Sequence, residues 1–249
     1  MTYCLGIKTA AGILGFADTR ITTGTETTTA RKAVVINRPK HSMIIMTSGL
    51  RSVRDKAITY FNEVIDEKDE GFNKMYQAVN AFGEQVKRVA SEDQQSLQEA
   101  GYQFNLYAIV GGQLEHDDTH KLYLLYPQGN WIEVGVGTPF VIIGNSGYGK
   151  PILNRALKYS SSLDFALKCA FLSFDATRIS ANDVGYPVDI ALYKKNSYHF
   201  TEKRFTQNDL NYISEFWSGK LAEAINTLPS ESLDTVFGNS SHREVNGAL

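Results

Sequence analysis

The feature that most constrains this chain is the order in which two periodicities alternate along it. Short β-rich runs come first, at Thr2 to Lys8, Gly12 to Ala17, Ala33 to Ile36 and Met43 to Thr47. The turn at Thr9-Ala10-Ala11 makes the first two a hairpin, and Ser48-Gly49 closes the fourth. The spacing then changes. Val53, Ala57, Ile58, Phe61, Val64 and Ile65 recur at helical intervals, as do Met75, Val79, Phe82, Val86 and Val89. Strand-like runs return at 104–110, 122–126, 131–136 and 140–143, followed by a second helical pair over 150–158 and 163–176. A last hairpin over 188–193 and 198–205 leads into a helix over 208–227. Strands, two helices, strands, two helices, strands, helix is an order that two antiparallel sheets satisfy when packed face to face with helical layers outside. The expected fold is therefore a four-layer α-β-β-α sandwich, in the α+β class. No linker or repeat divides it, so one domain is expected over 1–227, with a polar tail over 228–249 acting as a disordered segment or contact arm.

Composition excludes several functions. The 249 residues carry a formal net charge of −2, which gives no electrostatic basis for nucleic acid or an anionic membrane as partner. There is no uncharged apolar window of about 18 residues, so no transmembrane helix is expected. Lys8 and Asp18 interrupt the N-terminal apolar run, which argues against a signal peptide. The two cysteines, Cys4 and Cys169, both sit in apolar runs and read as core residues of a reducing, cytoplasmic setting.

Chemistry concentrates between Thr2 and Gly49. Asp18-Thr19-Arg20-Ile21-Thr22-Thr23-Gly24 lies sixteen residues after Thr2, Lys32 opens the run Ala33-Val34-Val35-Ile36, and Met46-Thr47-Ser48-Gly49 follows. These segments resemble the Asp-Ser-Arg-x-Thr-x-Gly string, the lysine-led strand and the oxyanion glycine of proteasome β subunits, which are N-terminal-nucleophile hydrolases. The opening Met-Thr-Tyr-Cys, the run Tyr148-Gly149-Lys150-Pro151 and Pro187-Val188-Asp189 are similar to Anbu, the bacterial "ancestral β subunit" branch. That opening implies a nucleophile exposed by removal of Met1 alone.

The chemistry also follows from the residue types. A threonine hydroxyl is a weak nucleophile and needs a base. As first residue of the mature chain, Thr2 has its own α-amine, which titrates near neutrality. A neighbouring ammonium, from Lys32, keeps that amine unprotonated and favours the alkoxide, and Asp18 orients the lysine. The Gly49 N–H faces the developing oxyanion, and Arg20 braces the loop of Asp18. The resemblance implies that the backbone near Thr22 pairs with a peptide as an added strand. Ile21, Val34 and Met46 are expected as walls of an apolar first subsite. It also implies an Asp and a Ser near the last sheet that support the terminal amine. Here Ser180 and Asp183 have that spacing with the types exchanged. Where the family carries Gly-Ser-Gly, this chain reads Gly144-Asn145-Ser146-Gly147, with Asn145 and Ser146 both open for the role of the serine.

Taken singly, each residue has a plainer reading: Asp18 and Arg20 as a strand-end ion pair, Lys32 as a solvated charge, Gly49 as a strand stop. The expected function is peptide-bond hydrolysis through an acyl-enzyme on Thr2, without metal or organic cofactor, in a homo-oligomeric ring or open spiral. The alternatives are an amidase acting on small amides and a non-catalytic assembly subunit. Two other motifs are set aside. The Gly-rich run 144–150 fits a phosphate loop up to Lys150, but Pro151 stands where Ser or Thr must hold magnesium. His116-Asp117-Asp118-Thr119-His120 has metal-like spacing yet reads as a polar turn between strands.

Overall fold

In the computed structural model, residues 2–67 and 72–237 are described. The first hairpin forms as the sequence indicates, with β1 over Tyr3–Thr9 and β2 over Gly12–Asp18. Its turn is tied by the Thr9 hydroxyl, which accepts the Ala11 N–H at 3.2 Å. The hairpin is the centre of a five-stranded antiparallel sheet with β10 (Phe140–Gly144), β11 (Val188–Lys194) and β12 (Phe200–Phe205), in the order β10-β1-β2-β11-β12. A second antiparallel sheet runs β5-β6-β7-β8-β9, over Ala33–Arg38, His41–Gly49, Leu106–Gln113, Lys121–Leu125 and Trp131–Glu133.

The two sheets face each other across a core that includes Cys4, Ile13, Ala17, Ile44, Met46 and Ile109. Gly6 and Gly15 lie opposite each other in β1 and β2. A Cβ on either would come within 2.8 Å of Ile109 or 2.6 Å of Ile44. The missing side chains let residues of the other sheet sink between the strands. Helices α1 (Arg51–Glu67) and α2 (Met75–Glu99) bury Val53, Phe61, Phe82 and Val86 on the far face of the second sheet. Helices α3 (Lys150–Ala156) and α4 (Leu163–Ser180) pack together, and α4 lies on β1 and β2. There Phe174 meets Phe16 and Tyr3 at ring separations of 5.3 and 6.0 Å. The result is the four-layer α-β-β-α sandwich.

Two elements depart from the expected strings. The polar, threonine-rich stretch from Thr22 to Thr29, outside the expected strands, belongs to a two-stranded hairpin, β3 (Arg20–Thr23) and β4 (Glu26–Thr29), turning at Gly24 with φ +59°. Helix α2 continues to Glu99, ten residues beyond Val89, the last apolar position of its repeat. Those extra residues have little apolar periodicity and rest on helix-forming types and local pairs such as Gln95 with Glu99.

Among the described residues the internal contacts divide into two units, one ending at Asp209 and the other beginning at Leu210, a division that falls inside helix α5 (Gln207–Asn226). A short 3-10 helix over Asp234–Phe237 follows α5, and the expected tail from 238 onward lies outside the described residues. Among the described residues no helix is long and apolar enough to cross a membrane. The two set-aside motifs have structural occupations. Pro151 sits in the first turn of α3. The Asp117 carboxylate accepts the Met75 and Leu114 N–H groups, and His120 Nε2 lies 2.7 Å from the Thr9 carbonyl.

Candidate active site

Thr2 immediately precedes β1 and is 8% exposed. Its carbonyl accepts the Asn145 N–H at 2.7 Å, so the end of β10 clamps the backbone of the second residue. Gly144 makes that clamp possible. Its φ is +85°, and a Cβ there would lie 1.9 Å from the Thr2 carbonyl oxygen. Gly144→Ala is therefore expected to displace Thr2. We expect Tm to fall by about 5 °C while circular dichroism keeps the wild-type strand and helix content. In the Gly144-Asn145-Ser146-Gly147 run, the groups that touch Thr2 are thus the glycine and the Asn145 backbone, which residue type alone does not indicate.

Strand β2 ends at Asp18, which is fully buried. One oxygen, Oδ1, accepts both the Tyr3 N–H at 2.8 Å and the Lys32 ammonium at 2.6 Å. The other, Oδ2, accepts the Gly185 N–H at 3.4 Å. Burial pushes the Asp18 carboxyl above its ordinary value, and the Lys32 charge with the two N–H donors pulls against that. Lys32 is 4% exposed and gives a second bond to the Arg20 carbonyl at 2.7 Å. A buried ammonium held between a carboxylate and a carbonyl is not a solvated charge, and the carboxylate it pairs with carries the residue after Thr2.

Arg20 does not pair with Asp18. Its Nη1 donates to the Asn182 carbonyl at 2.8 Å, so it braces the loop between α4 and β11. That loop carries Asp183, half-buried, between Asn182 and Gly185, both of which bond to site residues. Ser180 is exposed at the C-terminal end of α4. Neither Ser180 nor Asp183 lines the cleft beside Thr2.

That cleft has a volume of about 450 Å³ and brings together Thr2, Ile21, Thr22, Lys32 and Gly49. Gly49 ends β6 at φ +140°, and a Cβ there would lie 1.9 Å from the Asn105 carbonyl oxygen. The backbone approach requires glycine for more than stopping a strand. A second depression of about 240 Å³ shares Lys32, Thr47 and Arg54 and is walled by Val34, Ile45 and Ile58. Met46 is a correction. It is fully buried in the core between the sheets, its sulfur 3.3 Å from where a Gly15 Cβ would stand. Period-two alternation along β6 turns Thr47, not Met46, to the cleft. Cys4 is also buried between the sheets, as its apolar run indicates, and burial pushes its thiol up.

Two facing antiparallel sheets between helical pairs, with the chain's second residue at the mouth of a cleft at the sheets' end, are the architecture of the N-terminal-nucleophile hydrolases. A sequence model described as proteasome subunit matches residues 2–192, and the chain belongs to the proteasome subunit family. Within it, the fold is similar to Anbu proteins. An Anbu (Gly-1) mutant from Hyphomicrobium sp. strain MC1 shares 30% identity at a TM-score of 0.85, over 92% of this chain and 99% of that one. Anbu (ancestral beta-subunit) from Yersinia bercovieri shares 28% at 0.83, over 91% and 97%. The helical assembly of the Anbu complex from Pseudomonas aeruginosa shares 30% at 0.85, over 92% and 97%. No curated protein sequence matches the chain.

Proposed function

We propose that the protein is a threonine-type peptidase whose nucleophile is Thr2 once Met1 has been removed. The observation that carries this reading is the shared Asp18 oxygen. Oδ1 binds the Tyr3 N–H and the Lys32 ammonium at once, fixing a buried positive charge against the backbone that presents Thr2 to the cleft. In the reaction, the free α-amine of Thr2 takes the hydroxyl proton as Oγ1 attacks the peptide carbonyl. The Lys32 charge favours both the unprotonated amine and the forming alkoxide. The Gly49 N–H receives the oxyanion, a contribution of about 3 kcal/mol where such donors have been removed. Collapse breaks the C–N bond, and the α-ammonium returns its proton to the leaving amine. Water, deprotonated by the same α-amine, then cleaves the ester and restores Thr2. The exposed hairpin β3–β4, with Ile21 and Thr22 on the cleft, offers a strand edge for the peptide backbone.

Arg20 acts here as a positioning residue, its bond to the Asn182 carbonyl holding the 181–187 loop, which carries Asp183, beside Asp18. The helical Anbu assembly from Pseudomonas aeruginosa is the ground for reading this chain as a homo-oligomer, in a ring or open spiral, and the proposed reaction would act there on peptides or unfolded chains of the cytoplasm. Peptide hydrolysis by the purified protein tests the reading. Wild type is expected to release coumarin from peptide amides, and Thr2→Ala to lose that release to the detection limit. Equal rates in the two proteins would place the reaction elsewhere.

A further inference from the structure

Helix α1 begins within the cleft and has an unusual first turn. Helix N-termini favour carboxylates, because the backbone dipole is positive there. Here the first turn holds no acidic residue and carries Arg51, with Arg54 one turn on. Both line the cleft that holds Thr2. One carboxylate serves both guanidiniums. Asp55 accepts Arg51 Nε at 3.3 Å and Arg54 Nε and Nη2 at 2.8 and 2.6 Å. Arg54 is also fixed by its Nη1 on the Arg31 carbonyl at 3.1 Å, and its side chain is only 14% exposed. Arg51 reaches solvent.

The charge ledger of the cleft is therefore uneven. Lys32 is matched by Asp18, whereas two arginines share one aspartate. Among the described residues, no aspartate or glutamate lines the cleft itself. Arg54 also walls the smaller depression next to it, which joins the cleft at Lys32 and Thr47. A side chain entering from the Thr2 end meets an excess positive charge held on a rigid helix start, in a recess where screening is weaker than at open surface.

We propose that this cleft selects peptides carrying a carboxylate beside the scissile bond, with Arg51 and Arg54 as the groups that read it. The inference rests on the threonine-peptidase reading and names its substrate class. An acidic side chain supplies the second carboxylate that the arginine pair lacks: Arg51, tied to Asp55 through Nε, grips it with its terminal nitrogens in the bidentate manner that suits a guanidinium, and Arg54, whose Nε and Nη2 are on Asp55, adds charge. A lysine at the same place meets like charge and is rejected.

The test uses acetylated tripeptide coumarin amides that end in Glu, Gln, Leu or Lys. Glu and Gln are nearly the same size, so their ratio isolates charge. The expected kcat/KM for Glu is at least about tenfold above Gln, and higher still above Lys. The Glu-to-Gln ratio falls as salt rises from about 20 mM to about 0.5 M. It also collapses towards one in Arg51→Gln, whose exposed side chain can be changed without disturbing the core, and in Arg54→Gln if that variant folds. Cleavage of Leu peptides with Glu no faster than Gln overturns the charge selection and leaves the peptidase standing. A Glu preference that survives Arg51→Gln and every folded Arg54 variant contradicts the assignment to these arginines. If Thr2 forms an adduct with a threonine-directed electrophile but none of the four peptides is cleaved, this inference alone falls. Absence of both adduct and cleavage overturns the peptidase reading and this inference with it.

Discussion

Lys32→Met is expected to abolish peptide hydrolysis and to cost about 3–5 kcal/mol of stability, because it leaves the Asp18 carboxylate buried without its counter-charge. The two effects separate in the double variant Asp18→Asn/Lys32→Met. Removing both charges leaves no buried ion, so most of the stability is expected to return while hydrolysis stays absent. The stability loss of the single variant also has a sign in pH. Burial already raises the folded-state pKa of Asp18 above its ordinary value, and Lys32 opposes that rise. Without the ammonium the folded-state pKa climbs further. Below the unfolded value of about 4 the carboxyl is protonated in both states and carries no charge cost. As pH rises through the raised folded value, the folded state must release a proton from an unpaired buried site, and stability is lost. The difference in Tm between wild type and Lys32→Met is therefore expected to be larger at pH 7.5 than at pH 4.5. A difference that is flat across this range would mean that Asp18 is not held ionised by Lys32.

Gly49→Ala is expected to be the second severe change. Its added Cβ lands 1.9 Å from the oxygen and 2.7 Å from the carbon of the Asn105 carbonyl, both backbone atoms with no side-chain freedom to yield. The residue must also keep φ near +140°, where an alanine is strained by about 1–3 kcal/mol. The junction between β6 and α1 must shift to relieve this, carrying the proposed oxyanion donor with it. Loss of one such donor lowers kcat by about 100- to 1000-fold. Thermal denaturation and steady-state kinetics on the one variant check both parts. Wild-type kcat in Gly49→Ala would remove the Gly49 N–H from the mechanism.

Much of this was legible in the sequence because local patterns and tertiary demands agree. The β1–β2 hairpin, the apolar faces of α1 and α2, and the spacing from Thr2 to Asp18 to Lys32 were all readable in the first ninety residues. The threonine-rich stretch was not legible as strands. Its residues in β4 are exposed on both faces, so no alternation marks the hairpin, and only Gly24 hints at its turn. Met46 was misplaced because both faces of β6 are apolar. Met43 and Ile45 face the helices, and Ile44 and Met46 face the other sheet, so the pattern does not say which face meets the cleft. Gly144, Asn145 and Gly185 act through backbone atoms, and a backbone N–H leaves no residue-type signature. The arginine pair of α1 was visible only as charge within a helical repeat until the cleft placed it beside Thr2.

The most direct measurement is the intact mass of the purified protein before and after exposure to an electrophile selective for N-terminal threonine. The expected result is a chain lacking one methionine that gains a single adduct, with no adduct in Thr2→Ala. A chain that keeps Met1, or a processed chain that never reacts, would contradict Thr2 as the nucleophile and leave an assembly subunit with the fold but without the chemistry.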